Sequence, residues 1–206
     1  MEYYIHNCPL FVLNDPTSDE VIISQLVSEV QELLPSRLLA DVDVIYFGEF
    51  PTLGTKNAAY SNGAIYVDHR EPTNYDILEN IVHEVAHSLE HKFGSFIYGD
   101  NLKKEFLGKR MRLKSILDHH GYKIPKKFYQ YTEYSKLFDE FLATEVGYPT
   151  LLNLTMGLFV SPYGATSLQE YFANGFEKYY LDSPRAVRNI SPVLYRKIEE
   201  IINDEA

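Results

Sequence analysis

Apolar residues return every third or fourth position along most of this chain, and shorter β-branched and aromatic runs are confined to its first third. Between Ser18 and Leu34, the spacing of Val21, Ile22, Leu26, Val30 and Leu33 predicts a helix. Thr17 or Ser18 is placed to cap it, and Pro35 to stop it. A second helix is expected from Thr73 or Asn74 to about Phe93, with a broad apolar stripe of Ile77, Leu78, Ile81, Val82, Val85 and Leu89. Asn101 to His119 reads as a third, in which six basic residues, Lys109 and Arg110 among them, interleave with apolar ones. A solvated amphipathic face is the expectation there. Helical spacing resumes from Glu133 to Val146, is broken at Gly147-Tyr148-Pro149, and begins again at Ser167 with Thr166 or Ser167 as cap. Ser191-Pro192 opens a last helix packed through Leu194, Ile198, Ile201 and Ile202.

The strand signals are Tyr3–Ile5, Leu10–Leu13, Val42–Phe47 and the two arms around Asn62-Gly63. Asn-Gly between such arms predicts a two-residue hairpin, because both residues tolerate the positive φ of a type I′ turn. Placed just before the second helix, this hairpin would give a small mixed sheet an edge strand within 58–68. An exposed edge offers unpaired backbone groups to which an extended peptide can add. Tyr60, Ser61, Ala64 and Tyr66 are the substrate-binding candidates on it. The fold class is α+β, with a mainly helical C-terminal half.

Composition narrows the function. A chain of 206 residues suits a single domain over 1–206 with a helical elaboration at about 100–160. No apolar run reaches the ~20 residues that span a bilayer, so no membrane partner is expected. The N-terminus as written carries no secretory signal, which suggests a cytoplasmic or host-intracellular protein, or a secreted one whose signal has been removed. A net charge of −10 argues against nucleic-acid binding, since phosphate contact needs a concentrated basic surface. The same field would gather basic peptides, or serve solubility alone. Cys8 is the only cysteine, so an intramolecular disulfide and a thiolate-rich metal site are both excluded. Its expected role is that of a small buried hydrophobe.

The chemistry is carried by His83-Glu84-Val85-Ala86-His87 in the second helix. Residues four apart lie one turn above each other, so both imidazoles can aim at one zinc ion. Glu84 sits one step round the helix, placed to take a proton from water without being a ligand. His91, one further turn along, is read as a bystander, because a fourth protein ligand would close the position that catalytic zinc keeps for water. His119-His120 ends the basic helix and is read as complementing its dipole.

A catalytic zinc on two histidines needs one more protein ligand, and here a carboxylate is the natural one. Glu140 and Glu145 lie on one predicted helix, Glu170 and Glu177 on another. Spacing does not separate Glu140 from Glu170, since each is followed by two aromatic or aliphatic residues and then Ala.

The segment Tyr163-Gly164-Ala165-Thr166-Ser167-Leu168-Gln169-Glu170-Tyr171-Phe172-Ala173, together with the upstream His-Glu-x-x-His, resembles the catalytic domain of the anthrax lethal factor family of zinc metallopeptidases. That family also includes the Pro-Pro endopeptidases. The resemblance is carried chiefly by 58–93 and 161–202 and implies a zincin-like domain holding one Zn²⁺ on His83, His87 and Glu170. It further implies Glu84 as general base and Tyr163 as the phenol that stabilises the oxyanion. Asn174 stands where the family commonly has a second Glu, leaving Asn174 and Glu177 as candidates to support the ligands. The stretch between the two halves of the motif is longer than the family's, so substrate preference does not carry over.

The function expected from these readings is a zinc-dependent endopeptidase acting on a peptide or protein bound in extended form. The rival readings are a zincin-fold protein that binds without catalysis and a zinc amidase acting on a non-peptide bond.

Overall fold

The computed structural model describes residues 1–203 and divides into two compact units, Met1–Lys92 and Phe93–Ala206. It is a mixed α+β structure: the strands all lie in the first unit, and the second is helical.

The first unit is built on a five-stranded mixed sheet in the order β1-β2-β3-β5-β4. Its strands are β1 (Glu2–Ile5), β2 (Cys8–Val12), β3 (Val44–Gly48), β4 (Ala58–Ser61) and β5 (Ala64–Asp68). The inner three run parallel, and β1 and β4 are antiparallel edges. Alternation along the strands sends Ile5, Leu10, Ile45, Phe47, Ile65 and Val67 into the core. Cys8 is buried as expected, its thiol pushed up to about 11 first by burial and then by Asp43. The β4–β5 turn is the predicted one: Asn62 has φ 49° and Gly63 φ 81°. A Cβ on Gly63 would also lie 2.3 Å from Asp43 Oδ2 and push that carboxylate aside, while the positive φ is what favours glycine there.

Helix α1 (Ile23–Leu33) begins later than the sequence pattern suggests, and neither Thr17 nor Ser18 caps it. The Ile22 N–H instead donates to Asn74 Oδ1 at 2.9 Å, a partner 52 residues away. Helix α2 (Asn74–Ile97) is capped as expected by Thr73, whose Oγ1 accepts from the Asp76 N–H at 3.2 Å and donates to the Asp76 carboxylate at 2.6 Å. Ile77, Ile81, Val82, Val85 and Ala86 of α2 are fully buried, which fixes the rotation of the helix about its axis.

The second unit contains α3 (Asp100–His119), α4 (Lys136–Glu140), α5 (Tyr148–Leu154), α6 (Leu168–Leu181), α7 (Pro184–Ile190) and α8 (Pro192–Ile202). A seven-residue π-helical segment, Phe141–Gly147, follows α4 where the sequence reads as continuous α-helix. Gly175 permits close packing of α6 and α8: a Cβ there would lie 2.2 Å from Leu194 Cδ2. Glu105 of α3 caps α8 from outside, accepting from the N–H groups of Val193 at 2.8 Å and Leu194 at 3.2 Å. No helix among the described residues is long and apolar enough to cross a membrane.

Candidate metal centre

Helix α2 carries His83 and His87 on one face, with ring centroids 5.0 Å apart and planes inclined by 72°. Both side chains are half-buried. His87 Nδ1 lies 2.7 Å from Glu90 Oε1. A carboxylate only accepts, so this bond selects the tautomer with the proton on Nδ1 and leaves the lone pair on Nε2, the form a metal needs.

Glu84 is only 8 % exposed. Its Oε2 accepts the main-chain N–H of Tyr60 in edge strand β4 at 2.7 Å, which fixes the carboxylate's orientation. The Tyr60 hydroxyl donates to the Asp41 carbonyl at 3.1 Å. Tyr60 and Ser61 thus lie on the sheet edge, as the sequence suggested. Ala64 and Tyr66 lie on β5, whose backbone is paired on both sides, with Tyr66 stacked on Tyr46 at 5.5 Å.

Glu170 stands in the first turn of α6, and Ser167 caps that turn by accepting the Glu170 N–H at 3.0 Å. The chain before it folds as a tight turn at Tyr163–Ala165, closed by the Thr166 hydroxyl and N–H, which reach the Tyr163 carbonyl at 2.8 Å and 2.9 Å. Leu168 N–H donates to the Thr132 carbonyl at 2.8 Å. Tyr148 packs its ring edge-on to Tyr163, with centroids 6.4 Å apart. Asp139 holds Tyr148, accepting its hydroxyl at 2.6 Å and that of Tyr134 at 2.7 Å. Asn174 braces the same turn: its amide donates to the Glu170 carbonyl at 2.8 Å and its Oδ1 accepts the Ser161 hydroxyl. Glu177, two turns after Glu170 on α6, is half-buried.

His83, His87 and Glu170 each offer one ligand atom, and these atoms all lie within 4.8 Å of one another. The three residues could hold a metal ion. Two imidazoles and a carboxylate are nitrogen and oxygen donors of the kind that bind divalent transition metals. Glu170 is in this group, whereas Glu140 is exposed and pairs with Lys136 at 3.6 Å. His91, His119 and His120 are exposed and lie outside the group.

No protein-family model, curated protein or solved structure matches this chain. The functional reading therefore rests on residue chemistry and geometry.

Two features escape the sequence reading. Glu90 follows His87 by three residues, a spacing that puts its carboxylate beside the ring, and that spacing was the available signal. The basic helix is also not uniformly solvated: Lys109 and Arg110 of α3 are buried, at 8 % and 1 % exposure. Lys109 Nζ donates to the carbonyls of Leu158 and Ile190, both at 2.6 Å, and to Ser191 Oγ at 3.1 Å. Arg110 donates to the carbonyls of Ala165, Thr166 and Phe128.

Proposed function

We propose that this protein is a zinc-dependent endopeptidase of the lethal factor-like, zincin type, acting on a peptide or protein substrate in extended conformation. The observation that carries the reading is the convergence of His83, His87 and Glu170 ligand atoms to within 4.8 Å, with Glu84 next to His83 in sequence. Zinc held by these residues supplies the positive charge that acidifies water and polarises a carbonyl.

The chain's own residues account for the remaining steps. Glu84, its Oε2 held by the Tyr60 N–H, takes the proton of the attacking water on its other oxygen and returns it to the leaving amine. Tyr163 donates its hydroxyl to the oxyanion that forms on the scissile carbonyl. Glu90 holds His87 in the ligating tautomer. Edge strand β4 offers main-chain groups for an extended substrate, except at the Tyr60 N–H, which Glu84 already occupies. An exposed His91 outside the ligand group favours an open catalytic position over a closed structural one.

The test is mass spectrometry of a peptide library incubated with the zinc-loaded protein, with and without a chelator. Chelator-sensitive cleavage of internal peptide bonds is the expected result. Absence of cleavage in a zinc-loaded protein would favour a binding role, and turnover of non-peptide amides alone would favour an amidase.

A further inference from the structure

We propose that Arg110 is a positioning residue for the metal centre, acting as a clamp on the turn that joins Tyr163 to Glu170; this rests on the function proposed above. Arg110 is 1 % exposed, and its guanidinium lies over the Phe138 ring at 4.1 Å and near that of Phe106 at 5.2 Å. One terminal nitrogen donates to the Ala165 carbonyl at 2.6 Å and to the Thr166 carbonyl at 3.2 Å. The other donates to the Phe128 carbonyl.

These acceptors are main-chain groups of connecting segments. Ala165 and Thr166 sit midway between the proposed oxyanion donor and the proposed third ligand, and their carbonyls are held from outside the segment by Arg110. Thr166 closes back on the Tyr163 carbonyl, and Ser167 then starts the helix bearing Glu170. One nitrogen grips two successive carbonyls while the other anchors the guanidinium on Phe128, and together they fix the direction in which the chain leaves Tyr163 and enters α6. A planar guanidinium holds its two terminal nitrogens at set angles, whereas an ammonium is a single point donor.

Burying a cation against carbonyls is a costly way to fill space, and an apolar side chain of similar size is often no worse for stability. The arrangement is better suited to specifying one conformation of the turn. Lys109, next in sequence and also buried, supplies the contrast: its bonds go to Leu158, Ile190 and Ser191, none of them in the Tyr163–Glu170 segment.

The experiment compares wild type, Arg110→Met, Arg110→Lys and Lys109→Met, each at a temperature where circular dichroism shows it folded. It reads zinc affinity by competition with a chromogenic chelator, kcat and KM on a cleaved peptide, and amide hydrogen exchange over 163–170 in the zinc-free protein. Arg110→Met should weaken zinc about 10–100-fold, the range for losing a supporting contact behind a ligand. It should lower kcat with little change in KM and speed exchange over 163–170. Arg110→Lys, which keeps the charge but not the fork, should fall between Arg110→Met and wild type and remains informative if Arg110→Met does not fold. Lys109→Met should lose stability yet keep wild-type zinc affinity and local exchange. Wild-type zinc affinity and exchange in both folded Arg110 variants would overturn the positioning role while leaving the proposed function intact. A wild-type protein that takes up no zinc would overturn the proposed function, and the clamp's role with it.

Discussion

The main-chain N–H of Tyr60 donates to Oε2 of Glu84 at 2.7 Å, tying the edge strand of the sheet to the residue that follows the first histidine of the motif. An N–H cannot be deleted by an ordinary substitution, but its partner can be changed. Glu84→Gln keeps the shape and the accepted bond while removing the base. Zinc content should be unchanged and peptide cleavage should fall by about 10²–10⁴-fold, the usual contribution of a general base. Unimpaired cleavage by Glu84→Gln would remove Glu84 from the chemistry.

Glu90 is predicted to matter for metal affinity rather than for folding. It is partly exposed, and its bond to His87 Nδ1 spans one helical turn on the surface of α2. Glu90→Ala should weaken zinc binding about 10–100-fold with little change in thermal stability. Equal zinc affinity in competition titrations would show that the ring holds its orientation without the carboxylate.

Tyr163→Phe retains the ring packing against Tyr148 and deletes only the hydroxyl. A fall in kcat of roughly a hundredfold or more is expected, with substrate affinity and zinc content preserved. A loss confined to KM would instead make Tyr163 a substrate-binding group.

Phenols whose pKa is raised by burial make the fold less stable at alkaline pH. Burial, reinforced by Asp118 and opposed by Arg110, pushes the Tyr129 hydroxyl from 10.0 to about 12. Burial raises Tyr148 and Tyr171 as well, with Asp139 and Glu105 respectively adding to it. The folded state thus keeps the proton that the unfolded chain loses near pH 10. Stability is fully present below pH 10 and is lost as pH rises from 10 towards 12, at up to about 1.4 kcal/mol per pH unit for each such group. The Tyr129 hydroxyl has no hydrogen-bond partner among the described residues, so Tyr129→Phe should cost little at pH 7. Thermal melts between pH 9 and 11.5 should show a shallower decline in Tyr129→Phe than in wild type; identical slopes would assign the alkaline loss of stability to other groups.

Where local rules govern, the sequence is readable. The Asn62-Gly63 hairpin, the Thr73 and Ser167 caps and the helical stripes all depend on neighbours within a few residues, and all are present. The His-Glu-x-x-His face follows from helix geometry in the same way. What escapes the pattern depends on distant partners. Nothing near Ile22 indicates that Asn74 will accept its N–H. The spacing of α3 assigns Arg110 to a face but cannot reveal three carbonyls waiting there. The π-helical segment Phe141–Gly147 mixes strong helix formers, Leu142, Ala143 and Glu145, with weaker ones that helices commonly carry, so no propensity marks it as π-helical. Glu140 and Glu170 share the same local pattern, and only the tertiary structure groups Glu170 with the histidines.

That grouping is also what a single measurement tests most directly. Zinc per chain is determined by elemental mass spectrometry for wild type, Glu170→Ala and Glu140→Ala after dialysis against a weak chelator. One zinc per chain is expected in wild type and in Glu140→Ala, and little or none in Glu170→Ala. A zinc-free wild type, or zinc kept by Glu170→Ala and lost by Glu140→Ala, would contradict that grouping as the metal site.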